Sequence, residues 1–290
     1  MPPSSPSSRS YRAYDLTINS QLEVIGALPT EEEGNPPTAD IDIVMGAVKP
    51  LQDPISLAQD GTAFLHFPEI ARFACNADRI VVDCDAAADP HQVRATLIAN
   101  ALPCALWQRG DIVLHATAFI PAGAATAIGV CASSGGGKSS ILRSALGHGA
   151  KSVADDTVRI ASTDQRLRAS GLPAATWSKR EGDERELLNI ATGQCASSAG
   201  LAAIFLVEND LSQRDVPSFE RLSGASPFTS LMANRHRPVL PQMLGTQAAN
   251  LAIFARLAQL PVYCWHRLMG APDLAKNEVS FLSQIAKDGP

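Results

Sequence analysis

The stretch Ala132-Ser133-Ser134-Gly135-Gly136-Gly137-Lys138-Ser139, followed downstream by Asp155-Asp156, decides how this chain is read. Consecutive backbone N–H groups wrap an anion when no side chain blocks the approach, and Gly135, Gly136 and Gly137 leave that approach open. Lys138 brings a positive charge for terminal phosphates, and the hydroxyl of Ser139 is of the kind that ligates magnesium. With Ser133, Ser134 and Ser140 at its flanks, residues 133–140 form the candidate nucleotide loop. The full pattern asks for glycine where this chain has Ala132, a cost of about 1–2 kcal/mol if that residue must be left-handed.

Residues 126–132 read as a buried strand feeding the loop, residues 138–146 as a helix, and residues 151–155 as the next strand. A nine-residue helix climbs about 13 Å, and a five-residue strand returns about 17 Å. Chain length alone therefore brings Asp155 and Asp156 back to the phosphates, at the carboxyl end of a strand expected to run parallel to residues 126–132. Adjacent acids on a strand point apart and can divide the work. Asp155 is expected to take the proton of an attacking hydroxyl, and Asp156, with Ser139, to hold the metal. His115 lies one strand earlier, in Leu114-His115-Ala116.

Outward from this centre, the N-terminal part alternates short β-rich runs at 11–18, 41–48, 62–67 and 79–83 with turn-rich segments, which predicts a small, mostly antiparallel sheet. A helix is expected from His91, with Pro103 ending or kinking it. The pattern then turns α/β. Residues 112–120 read as a strand, 157–161 and 167–169 as a hairpin, and 201–207 and 262–266 as further strands, with helices at 227–234, 242–259 and 278–285. The expected organisation is a disordered tail at 1–10, a β-rich subdomain at 11–90 and a phosphate-loop domain at 91–290.

Bulk properties narrow the partners. The chain has 290 residues, a net charge of −5 and 46% hydrophobic residues, an ordinary globular balance with no wholesale electrostatic claim on nucleic acid. The longest clean apolar run, 201–207, is too short to cross a bilayer. The N-terminus lacks the layout of a signal peptide, so neither a membrane nor a nucleic-acid partner is expected, and the cytoplasm is the expected location. The six cysteines are scattered without Cys-x-x-Cys pairs and read as reduced thiols; Trp265 and His266 read as packing residues. For acceptor binding, Lys179 and Arg180 in a charged segment, and Arg235-His236-Arg237 before Pro238, are the candidates, with helix capping as the plainer reading of the latter.

Taken together, Leu114-His115-Ala116, the Ser-Gly-Gly-Gly-Lys-Ser loop and Val153-Ala154-Asp155-Asp156 resemble the catalytic domain of HPr kinase/phosphorylase. The likeness is greatest to the shorter HPr-kinase-like serine kinases, including those encoded with lasso-peptide biosynthesis enzymes. Residues 11–18 and the Arg235-His236-Arg237-Pro238 segment are also similar to those proteins. The resemblance implies an α/β fold with a mixed central sheet, related to ATP-dependent phosphoenolpyruvate carboxykinase. It implies ATP and Mg2+ as cofactors, Lys138 at the β- and γ-phosphates, His115 near the transferred group, and a homo-oligomeric state. The expected activity is phosphorylation of a serine hydroxyl on a small protein or ribosomal precursor peptide, of lasso-peptide type first. The downstream Glu-Ile-Arg-Gly-Leu-Gly signature of HPr kinase/phosphorylase is replaced here by Arg168-Ala169-Ser170-Gly171-Leu172-Pro173, so HPr itself and the reverse phosphorylase reaction are not expected. A nucleotide-binding scaffold without transfer chemistry and a small-molecule kinase remain the alternatives.

Overall fold

The computed structural model describes residues 8–30, 38–163, 166–179, 185–210, 217–268 and 273–289. The chain builds two large mixed sheets joined by a helical segment. The first sheet uses β1 (Arg9–Ala13), β2 (Leu16–Ser20), β3 (Leu28–Pro29), β4 (Ile41–Met45), β5 (Ile55–Leu57), β6 (Ala63–Phe67), β7 (Ala71–Cys75) and β8 (Arg79–Cys84). Their order is β3-β1-β2-β4-β8-β7-β6-β5. Both neighbours of β4 are parallel to it, and the remaining pairs are antiparallel. The sheet therefore carries a parallel centre that alternating short runs do not reveal. Period-two burial is plain in β7, where Ala71, Phe73 and Cys75 face the core.

The run at 11–18 is two strands rather than one, and β1 starts at Arg9, inside the segment expected as tail. Tyr14 and Asp15 both adopt positive φ, +57° and +58°, the backbone of a two-residue hairpin turn with the twist that neighbouring strands require. This turn reaches across to the second sheet. Tyr14 N–H donates to the Gly171 carbonyl (2.9 Å), and the Arg159 guanidinium donates to the Tyr14 carbonyl (2.6 Å).

Asp89 caps α1 (Pro90–Thr96) by accepting from His91 N–H at 3.0 Å. Pro103 does not end the helical path. A π-helical turn at Leu97–Ala101 leads directly into α2 (Leu102–Gln108), so the missing N–H of Pro103 falls at the start of a new helical segment, where it costs little.

The second sheet comprises β9 (Ile112–Ile120), β10 (Ala127–Cys131), β11 (Lys151–Ala154), β12 (Thr157–Thr163), β13 (Arg166–Ser170), β16 (Ser198–Asp210), β17 (Ser218–Arg221) and β18 (Val262–Leu268); β14 (Ala175–Lys179) and β15 (Arg185–Asn189) form a separate hairpin. Strands β9, β12, β13, β16 and β10 close a hydrogen-bonded ring, and β18 and β17 extend it from β16. Helix α3 (Lys138–Gly147) follows the glycine loop. Then come α4 (Ser226–Ala233), α5 (Val239–Met243), α6 (Gln247–Leu257) and α7 (Lys276–Asp288). The helix expected at 242–259 is split, because Gly245 at φ +67° separates α5 from α6. Beneath α7, Phe205, Phe219, Tyr263 and Trp265 make a linked aromatic cluster with Phe281 of that helix. Among the described residues no helix is long and apolar enough to cross a membrane.

Candidate active site

β9 is the spine of the site. One of its edges pairs antiparallel with β10, whose end delivers the glycine loop. The other edge pairs antiparallel with β11 and β12 in succession. β11 and β10 thus run in the same direction, as expected, but with β9 between them. Residues 155 and 156 lie where the ladder along β9 is interrupted. Thr157 N–H turns back onto the Asp155 carbonyl (2.9 Å), closing a three-residue turn with Asp156 at its centre, φ +69°. Aspartate tolerates that backbone better than bulkier residues do. The Thr117 hydroxyl donates to the Ala154 carbonyl (2.9 Å), replacing a ladder bond lost at the break.

The turn separates the two carboxylates. Asp155 is buried, and its Oδ2 accepts from the Thr176 hydroxyl (2.7 Å) and Trp177 N–H (2.9 Å). Its Oδ1 accepts from Asp156 N–H (3.0 Å), and the Ser139 hydroxyl is a further hydrogen-bond partner. Burial pushes the Asp155 carboxyl up, and these donors only partly offset that. Asp156 lines the cavity instead. Its Oδ1 lies 3.2 Å from His115 Nε2 and its Oδ2 3.6 Å from His236 Nε2. Burial alone would raise it, but the hydrogen bonds and charge of the two histidines outweigh burial and hold it well below the usual carboxylate range. Burial also keeps His236 below its ordinary value, against the pull of Asp156. His236 thus sits with Nε2 turned to the Asp156 carboxylate and Nδ1 buried on the other side of the ring.

The loop meets this pair across a cavity of about 240 Å³ lined by every residue from Ser134 to Ser140 together with His115 and Asp156. Gly135 and Gly137 take positive φ, +77° and +92°. Ala132 does not, so its departure from glycine carries no left-handed penalty. A Cβ at Gly136 would stand 2.9 Å from the Ala132 Cβ and 2.9 Å from the Ser133 carbonyl oxygen, so the loop's close approach falls there. Lys138 Nζ is held on the Ala132 carbonyl at 2.9 Å. Ser133 keeps the loop's shape by accepting from Gly136 N–H, and does not line the cavity.

The acceptor candidates separate. Asn234 and His236 pair with β9 through His115 N–H to the Asn234 carbonyl and His236 N–H to the Val113 carbonyl (both 2.8 Å), which seats His236 against Asp156. Arg235 Nε donates to the Met232 carbonyl (2.8 Å), capping the end of α4. Arg237, at φ +49°, directs Nε to the Ala99 carbonyl (3.4 Å), the group that Pro103 cannot serve. Neither arginine lines the cavity. Lys179 ends β14, and Arg180 lies outside the described residues.

Several site residues escaped the sequence. Arg143, Trp177 and Ser178 line the cavity; Arg143 reaches the Trp177 carbonyl (2.7 Å) and the Ser140 hydroxyl (3.1 Å). Its position one helical turn after Ser139 was the available signal. Tyr14 is fully buried, and burial and the charge of Asp156 both raise its phenol, which puts the N-terminal hairpin beside the Asp155–Asp156 turn.

No family model matches the chain, and no curated protein is similar to it. Among solved structures, the chain is similar to the Hpr(Ser) kinase/phosphatase from Coxiella burnetii with a TM-score of 0.35 and 9% sequence identity, over 60% of this chain and 87% of that one. That likeness is distant, and no residue role is taken from it.

Proposed function

We propose that this chain is an ATP- and Mg2+-dependent phosphotransferase acting on an alcohol, with a serine hydroxyl of a peptide or small protein as acceptor and a ribosomal precursor peptide as the first candidate. The observation that carries this reading is the facing arrangement of the glycine loop and Asp156, flanked by two histidines, across one cavity. A loop alone would serve any nucleotide binder. A carboxylate fixed beside the phosphate position is what a hydroxyl acceptor requires.

The geometry supports a division of labour opposite to the one expected from the sequence. Ser139 is hydrogen-bonded to Asp155, while Asp156 lines the cavity with its oxygens 3.2 Å and 3.6 Å from the two histidines. A serine hydroxyl and a carboxylate are hard oxygen donors that fit Mg2+, so Ser139 and Asp155 would hold it, and the ion would supply charge neutralisation at the phosphates. Asp156 then orients the acceptor hydroxyl and receives its proton. Because the transferred group leaves early in a loose transition state, an ionised, well-aimed carboxylate serves even with a depressed pKa. Lys138 and the N-terminal end of α3 place positive charge where the phosphates lie.

The test is incubation of the full chain with γ-labelled ATP, Mg2+ and serine-containing peptides, each paired with its serine-to-alanine counterpart, read by mass spectrometry. Label on the serine peptide alone is the expected result. Nucleotide binding with no transfer to any peptide would favour a scaffold, and failure to bind ATP would end the proposal.

A further inference from the structure

A second cluster lies outside the phosphate cavity, where β16, β18 and β17 run side by side. The parallel register sets Glu208 beside His266, and the antiparallel register sets Glu220 beside Cys264. Cys264 and His266 are two apart, so they share a face of β18, opposite the one on which Tyr263 and Trp265 join the aromatic cluster. His266 Nδ1 is 3.7 Å from Glu208 Oε2 and 4.0 Å from Cys264 Sγ, and the three donor atoms all lie within 4.8 Å of one another. On the other side of the ring, Nε2 is buried without a hydrogen bond among the described residues and faces Glu220 Oε2 at 3.9 Å.

From this arrangement we infer that Cys264, His266 and Glu208 bind a divalent transition-metal ion of the zinc class, with Glu220 orienting the histidine. Bonds of about 2.0–2.3 Å to sulfur, nitrogen and oxygen in a tetrahedron put neighbouring donors about 3.3–3.8 Å apart, a small contraction of the spacing seen here. A metal on Nδ1 fixes the ring proton on Nε2. That gives this buried nitrogen a defined role, donation toward the Glu220 carboxylate, the partner that metal-bound histidines regularly have. The sulfur donor selects a borderline or soft ion over Mg2+, so the site is chemically distinct from the one at Ser139 and Asp155. Binding displaces the Cys264 thiol proton to solvent, and the thiolate and the Glu208 carboxylate then balance the two positive charges. Three protein donors leave a fourth position for water. The ion would tie β16 to β18, and Glu220 would link β17, at the edge of the sheet, to the metal-bound histidine.

Cobalt is the probe. The full chain, stripped with a chelator and then held in excess Mg2+, is titrated with Co2+. The expected result is a sulfur-to-cobalt charge-transfer band saturating at one equivalent, abolished by Zn2+ and absent in Cys264→Ser. Glu208 is exposed, so Glu208→Gln leaves the core intact and is expected to weaken Zn2+ binding by at least about tenfold. Absence of the band in the unmodified chain, or its persistence in Cys264→Ser, overturns the inference. Should Cys264→Ser fail to fold, Glu208→Gln decides: unchanged Zn2+ affinity overturns the site.

Discussion

His115 Nε2 lies 3.2 Å from Asp156 Oδ1 because the strand ladder along β9 is interrupted at that point. The ladder along β9 opens at residues 155 and 156, and a three-residue turn swings Asp156 toward the face from which His115 projects. Neither residue would be catalytically interesting in a continuous strand. The turn sets the Asp156 carboxylate at the cavity wall, with the His115 ring beside it.

Asp156→Asn is expected to lower phosphotransfer by about a hundredfold or more, the usual scale for losing a positioned acid–base group. Asparagine accepts positive φ at least as readily as aspartate, so folding and nucleotide binding should survive. Nucleotide titration beside the transfer assay separates the two effects. Asp155→Asn should instead weaken Mg2+ binding and raise the Mg2+ concentration needed for half-maximal transfer, and a normal magnesium titration in that variant would return the metal to Asp156.

His236 gives stability a slope near neutral pH. Its folded pKa is depressed, so the unfolded chain takes up the proton first as pH falls below the ordinary histidine value of about 6.5. Stability is full above that value and is lost as pH falls below it. The urea midpoint should therefore drop between about pH 7.5 and about pH 5.5, and the drop should be smaller in His236→Gln. An equal slope in both proteins would show that another group carries it.

Gly171→Ala tests the packing under the turn. A Cβ there would stand 2.3 Å from the Ala154 Cβ and 2.9 Å from the Thr157 carbonyl oxygen, against backbone that cannot move without shifting Asp155 and Asp156. Overpacking of this kind costs about 1–3 kcal/mol. Thermal unfolding should register that loss, and transfer should fall further than the change in folded fraction explains.

Glu278→Ala should destabilise without touching the cavity. Buried Glu278 accepts from Trp265 Nε1 (2.9 Å), Arg267 Nε (3.0 Å) and Ala275 N–H (2.8 Å). Its removal leaves the buried Arg267 charge without its carboxylate, a loss of about 3–5 kcal/mol. Denaturant unfolding measures it; a change under about 1 kcal/mol would mean that Arg267 finds solvent.

Ala132→Gly is expected to leave nucleotide affinity unchanged within about twofold, since Ala132 needs no positive φ and glycine there adds only chain entropy, about 0.5–1 kcal/mol against stability. A large gain in affinity would show that the alanine methyl obstructs the phosphates.

The sequence alone placed the loop, the helix behind it, β9 and the β12–β13 hairpin, because these rest on local signals: glycine access, helical period and runs of β-branched and apolar residues. It also brought Asp155 and Asp156 near the glycine loop, since chain length bounds that distance. What it could not settle depends on partners far along the chain. The parallel centre of the first sheet is a matter of strand order. The hairpin at Tyr14 and Asp15 requires φ values that no local pattern in the run announces. The arginines of the Arg235-His236-Arg237 segment turned to carbonyls of α4 and of the π-helical turn, while the histidine between them reached Asp156 by pairing with β9. The division between the two acids was decided by burial. A carboxylate is buried or exposed only once β14 has laid Thr176 and Trp177 over it, and that contact is tertiary.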